Sequence, residues 1–436
     1  MSGKASLILI VSFSLLFLIM GRFWDELATR SVENDVEYYE GTIAHNIAVS
    51  GANIALNNIF RNSGWMAGIN NRAFDKGVMN VNVTIPDTMT KLITSTGTFM
   101  GVQRVVKVKF GRSTFAKYAW FTGSVSSSKV FITGDTIWGG MHTNQTLNIE
   151  GDPVFFGKVT TSKGLKPSDS QIKKLGYHPK FLGGYATGVN VYFDNNYQFP
   201  TQRSAALSGG RYYDGTDLWL QFNSNGTVTY RTGMGKDTSK YSAPVTTALS
   251  AFTSNGIVYV NRGDIFVSGT LSGQITIVAD QSSGTGGGNV YFINDLVYSV
   301  APMIKMANGD YEANQSCTDL MGVLASNNAF ISSSVITTGQ LNNVVNKDLR
   351  VDAGVFCAKG GLKVENWSEV PGLAGVFYLN GSMVAGTEED IAKTNNKTHM
   401  ISQGYTKHVV YDDRFHYTPP LYFPLSNDYE VLSWLE

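Results

Sequence analysis

Hydrophobic positions are concentrated at the start of the chain. From Ala5 to Met20 every residue is apolar or serine, with Lys4 before the run and Arg22, Phe23 and Trp24 just after it. Sixteen residues fall a little short of the roughly 20 that span a bilayer, and Phe23 and Trp24 extend the segment into an interface. The flank then turns acidic (Asp25, Glu26, Glu33, Asp35, Glu37, Glu40), and Lys4 predicts an N-in, C-out orientation. Leu18-Ile19-Met20-Gly21 before bulky Phe and Trp is a poor signal-peptidase site, so the segment reads as a retained helix. From Val36 to Phe60 the period becomes amphipathic. Ile43, Ile47, Gly51, Ala55 and Ile59 recur every three or four residues, beside a stripe of Ala44, Ala48 and Ala52. With no proline before Pro86, one helix can run nearly unbroken from Ala5 to Phe60, on the order of 80 Å at 1.5 Å per residue. The small-residue stripe suits close packing on another helix or on a sheet.

Alternation then takes over. Val78–Ile85, Lys91–Phe99 and Val102–Phe110 read as three antiparallel strands with tight turns. Beyond Tyr118 come short strands such as Thr146–Ile149, Val191–Phe193, Gly256–Val260, Gln274–Val278 and Gly354–Phe356, separated by Gly, Asn or Asp. That spacing suits a parallel β-solenoid, with a β-sandwich as the competitor. The fold class expected is α+β. Its parts are a hydrophobic helix over 1–62, a small antiparallel sheet over 63–117, a β-rich solenoid-like body over 118–360 with a polar insertion near 161–250, and a C-terminal cap of extended structure over 361–436.

Composition sharpens this picture. Charged residues make up 16% of the 436, and 46 glycines accompany many Thr, Asn, Val and Tyr, a mixture that favours strands and turns. Zero net charge argues against a nucleic-acid partner. Lys163, Lys166, Lys173, Lys174 and Lys180 read as a solvated face, with acidic surface glycans as the lesser alternative. Cys317 and Cys357, 40 residues apart, are either a bridge between stacked coils or two unpaired buried thiols.

No motif announces catalysis or a cofactor. The six histidines lack metal-ligand spacing, and no nucleophile elbow, phosphate loop or zinc-protease signature occurs. Gly284–Asn289 and Asp214–Asp217 read as turns. Glu388/Glu389/Asp390 and Asp412/Asp413 are carboxylates paired by adjacency only, and neighbours on a strand point to opposite faces. The tail from Tyr405 to Trp434 is expected to close a β-edge, with Asp412 and Arg414 as a clamp.

The charged start, the apolar helix, Ile43–Leu56, the strand pair Ile93–Thr98 and Arg104–Lys109, and, more loosely, Ile137–Asn144 and Gly404–Pro424 resemble a type IV pilin-like protein of the large minor-pilin branch. The acid that ordinary pilins carry in this helix has no counterpart here: counted from Met1 the fifth residue is Ala5, and no acid lies in the run from Ala5 to Met20. The resemblance implies a non-enzymatic structural subunit of a bacterial extracellular filament, anchored in the inner membrane before assembly. Its partners would be copies of itself, packed through Leu7, Ile10, Phe13, Leu16, Phe17, Ile43, Ile47, Gly51 and Ala55. The alternatives are a membrane-anchored β-helix enzyme or a low-copy tip adhesin acting on extracellular polysaccharide.

Overall fold

A computed structural model of the chain describes residues 2–86, 90–281, 286–332, 346–365, 372–395 and 397–436. The chain forms two compact units, 1–113 with 428–436, and 114–427. The second is therefore an insertion in the first, between two strands that neighbour each other in one sheet.

In the first unit, one helix runs without a break over Ser2–Arg61, about 90 Å at 1.5 Å per residue. Its C-terminal third lies on a five-stranded sheet. In spatial order the strands are Ile69–Phe74, Gly77–Thr84, Thr90–Phe99, Val102–Thr114 and Leu425–Leu435. The first four pair antiparallel, with register Val81↔Ser95 and Ser95↔Val106. Ala44, Ile47, Ala48, Ala52, Ala55 and Ile59 make a core with Met79, Val81, Ile93, Val106 and Val108. The small-residue stripe sets how close the helix comes. At Gly97 a Cβ would collide with Ala44 O and Ala48 N, and at Gly51 it would collide with Ser95 Oγ and Met79. A long helix seated by its C-terminal third on a small antiparallel sheet has the elements expected over residues 1–117.

The second unit is built from parallel ladders. The longest has ten strands: Arg211–Asp214, Ile257–Asn261, Gln274–Asp280, Leu320–Ala325, Leu349–Cys357, Leu373–Thr387, Trp120–Ser124, Met141–Thr143, Val159–Thr161 and Tyr185–Thr187. A second runs through Asp217–Asn223, Ile265–Leu271, Val290–Tyr298, Ala329–Ile331 and Leu362–Val364. A third joins Leu373–Thr387, Met400–Val410, Thr136–Trp138, Val154–Phe155 and Lys180–Phe181. Central strands such as Ile257–Asn261 and Leu320–Ala325 are buried along their whole length, as parallel strands covered on both faces require.

The chain does not travel along the long ladder in one direction. It starts in the middle at Trp120, builds outward to Tyr185–Thr187, and then crosses back through 188–210. It restarts at Arg211–Asp214 and returns until Leu373–Thr387 pairs with Trp120–Ser124 (Met383↔Trp120, Val384↔Phe121). Two arms thus meet at a seam, reinforced where Met400–Val410 pairs with Thr136–Trp138 (Val409↔Ile137).

This path corrects three sequence expectations. Within the stretch expected as a polar insertion near 161–250, Lys180–Phe181 and Tyr185–Thr187 are rungs stacked on Val154–Phe155 and Val159–Thr161, after the short helix Asp169–Leu175, and Arg211–Asp214 and Asp217–Asn223 are rungs as well. Val191–Phe193 is a crossing segment, and Phe193 lies in an aromatic cluster with Phe115, Phe121 and Phe356. Residues 361–427 supply seam strands instead of a terminal cap. The last strand, Leu425–Leu435, closes an edge of the small sheet, where Tyr429 stacks on Phe110 at 5.5 Å.

Candidate functional site

Two features of the structure stand out chemically, one in each unit. In the first, every described side chain from Lys4 to Tyr39 is exposed. Leu7, Ile10, Phe13, Leu16 and Phe17 each leave about half or more of their surface uncovered, the highest being Phe17 at 67%. Sixteen consecutive apolar or serine residues on an isolated helix demand a non-aqueous surrounding. Among the described residues this is the one helix long and apolar enough to cross a membrane. The predicted second half of the contact set behaves differently. Ile47, Gly51 and Ala55 are buried under the unit's own sheet, and Ile43 is partly covered by it. The small-residue stripe is explained by helix-on-sheet packing.

In the second unit, three ionisable groups are buried together at the seam. Asp135 precedes Thr136–Trp138, Glu388 follows Leu373–Thr387, and Lys407 lies in Met400–Val410. The Lys407 ammonium is 3.5 Å from Glu388 Oε1 and 3.9 Å from Asp135 Oδ2, and it sits over the rings of Phe131 and Trp120. Glu388 Oε2 accepts from Trp120 Nε1 and Thr122 Oγ1, each at 3.0 Å. Asp135 accepts from Lys407 N at 2.9 Å and from Ile132 N at 3.1 Å. Burial raises the Asp135 pKa above the ordinary carboxylate value, against the lowering pull of Lys407 and the two backbone donors. Beside the cluster opens a cavity of about 200 Å³, whose wall includes Lys129, Asp390, Lys393 and Tyr405. Lys129 is paired with Asp390, and Glu389 lies 3.6 Å from Lys363.

Adjacency in sequence had directed attention to Glu388 with Glu389 and Asp390. The groups that hold Glu388 are instead Lys407, on a later strand of the seam, and Trp120 and Thr122, more than 250 residues away. The only sequence signal for the cluster is that Asp135 and Lys407 each stand beside strongly β-forming residues, where a charge is out of place.

The remaining predicted positions are committed to structure. Arg414 makes a two-pronged pair with Asp412 (2.9 and 2.6 Å) and donates to Cys317 O and Asp319 O, which is the expected clamp. Cys317 and Cys357 are separate, free and buried, and no bridge joins them. Cys357 lies on a rung between Ala325 and Ala385, with its thiol pushed up to about 12 by burial. Asp214 is held by Arg262, while Asp217 accepts from Asp264 N and Gly235 N. Five of the histidines are engaged with neighbouring side chains: His45 faces Glu436, His178 Asp152 and His399 Glu150, while His142 bonds Thr160 and Asn144 and His408 bonds Thr136 and Tyr311. No group of three or more metal-ligating side chains gathers among the described residues. Lys163 donates to Gln145, whereas Lys166 and Lys180 are exposed near one end of the ladders. Of the glycine-rich run, Gly284 and Thr285 lie outside the described residues, and Gly286–Gly288 take positive φ in a turn.

Residues 84–163 match a family model described as a domain of unknown function (DUF4900), a stretch that begins in the small sheet and ends in the first arm of the ladder. No curated protein matches the chain. Among solved structures, the crystal structure of the competence-associated pilin ComZ from Thermus thermophilus aligns with 12% identity and a TM-score of 0.37. The alignment covers 91% of this chain and 97% of that one.

Proposed function

We propose that this protein is a structural subunit of a type IV pilin-like extracellular filament, assembled through its N-terminal helix and carrying its β-rich unit outside. The observation that carries this reading is the division of labour along one unbroken helix. From Gly41 onward its inner face is covered by the protein's own sheet, while the 36 residues from Lys4 to Tyr39 are uncovered. An apolar segment of that kind is stable in a bilayer before assembly and in a bundle of identical helices afterwards, where side-chain packing replaces lipid contacts. Acidic and basic residues between Arg22 and Glu40, including the Glu26–Arg30 pair at 2.5 Å, give the following turns a polar surface. They fit the layer between an apolar filament core and the exterior.

The parallel ladders support reading the second unit as a β-solenoid whose path is folded into two arms. Such a body suits display and lateral contact, and we assign it no catalytic role. The test is electron microscopy of material sheared from the surface of expressing bacteria, with peptide identification. Filaments containing this chain are the expected result. Retention of the whole pool in the membrane fraction would overturn the filament and leave a membrane-anchored protein.

A further inference from the structure

We propose that Lys407 and Asp135 are joined by an amide bond between their side chains, formed by the folded protein itself with Glu388 as the proton acceptor. Three observations converge. A lysine ammonium is buried with two carboxylates within 4 Å, 3.5 Å to Glu388 and 3.9 Å to Asp135. The surrounding wall is aromatic, from Trp120 and Phe131, and it strips water from the nitrogen. The two carboxylates are held differently. Glu388 takes two side-chain hydrogen bonds on Oε2 and turns Oε1 to the ammonium, whereas Asp135 is buried to 2% exposure and accepts a backbone N–H on each oxygen.

The roles follow from that asymmetry. Burial favours the neutral acid at Asp135, which is the form an amine can attack, and Glu388 is placed to take a proton from nitrogen. The step balances without any co-reactant. The Lys407 ammonium gives one proton to Glu388, and the free amine attacks Asp135 Cγ. The new C–N bond forms as the C–O bond to the Asp135 hydroxyl breaks, and that hydroxyl leaves as water with the second nitrogen proton. The products are one amide, one water and a neutral Glu388. Holding amine and acid together supplies the proximity that such a condensation lacks in solution. Turning the buried Lys407 ammonium into a neutral amide while Glu388 takes up its proton also removes the desolvation cost of both charges. The neighbouring cavity gives the water a way out.

The position gives the bond a purpose. Asp135 precedes a strand of one arm and Lys407 lies in a strand of the other, so the link would fasten the seam where the two arms meet. It would close a loop of 272 residues between them.

The test is mass spectrometry of the purified, denatured full-length protein, with peptide mapping. The expected result is a chain lighter by one water than the sum of its residues, with a branched peptide containing Asp135 and Lys407 and no tryptic cleavage after Lys407. Lys407→Ala and Asp135→Ala should each lack the water loss. Glu388→Gln, folded by circular dichroism, should retain the full mass or lose water far more slowly. A folded wild-type chain at its full unmodified mass would overturn the proposal. Water loss mapped to Lys407 and Glu388 would overturn the assignment of the acid.

Discussion

Individual side chains in this protein are read best by what a change would force on their neighbours. Gly97 faces the helix backbone so closely that even a methyl group has no room, and the atoms it meets are main-chain ones that cannot rotate away. Gly97→Ala should therefore destabilise the helix–sheet unit by about 1–3 kcal/mol, measured by chemical denaturation. Asp352 makes a different kind of demand. It is buried, accepts from Tyr298 N and Asn380 Nδ2, and has its pKa pushed up to about 6, first by burial and then in part by Asp412. A carboxyl with a raised folded pKa favours the fold while it is protonated in both states. That contribution is complete below about pH 4, the unfolded value, and is lost as pH rises to about 6. The wild type should lose on the order of 3 kcal/mol over that window from this group, before other groups are counted. Asp352→Asn should flatten the dependence of melting temperature on pH between 4 and 6. An unchanged slope would show that Asp352 is not its source.

Elements were legible in proportion to how local their determinants are. The helix was readable nearly to the residue, because an apolar run and a 3.5-residue period need no partner to be recognised. The hairpin strands Thr90–Phe99 and Val102–Thr114 were equally clear, since alternation and the Met100-Gly101 turn, both residues at positive φ, are encoded side by side. The crossing segment 188–210 was not legible. Val191, Tyr192 and Phe193 have strand-like side chains, yet Tyr192 is exposed and Phe193 packs on Phe115, Phe121 and Phe356, which are remote in sequence. The apolar helical segment carries its own prediction. Leu16→Asp places a charge in the middle of the run, at a cost near 3 kcal/mol in a membrane. This variant should lower recovery of the chain from both the membrane and the sheared fraction, with the β-rich unit still folded. Recovery equal to wild type would remove the helix from any role in assembly.

For the molecule as a whole, connectivity was the part least visible in the sequence. A linear division into helix, sheet, body and cap follows naturally from reading the chain in order. The structure instead inserts the second unit between neighbouring strands of the first, and builds that unit from two arms that meet at Leu373–Thr387 and Trp120–Ser124. Pairings across more than 250 residues leave no periodic trace, so neither the seam nor its Asp135–Glu388–Lys407 cluster was readable beforehand. The same separation makes the seam slow to form, because loop closure precedes any reward from pairing. A covalent fastening there would act after folding and hold the two arms together under load.

The central proposal is that the apolar segment Ala5 to Met20 packs against the same segment of other copies. Photo-cross-linking from an unnatural residue at Phe13 tests it most directly, on material sheared from intact cells. The account predicts a dimeric adduct whose linked peptides both come from the segment before residue 40. Adducts to lipid alone, with no chain-to-chain product at Phe13 or at Phe17, would contradict it.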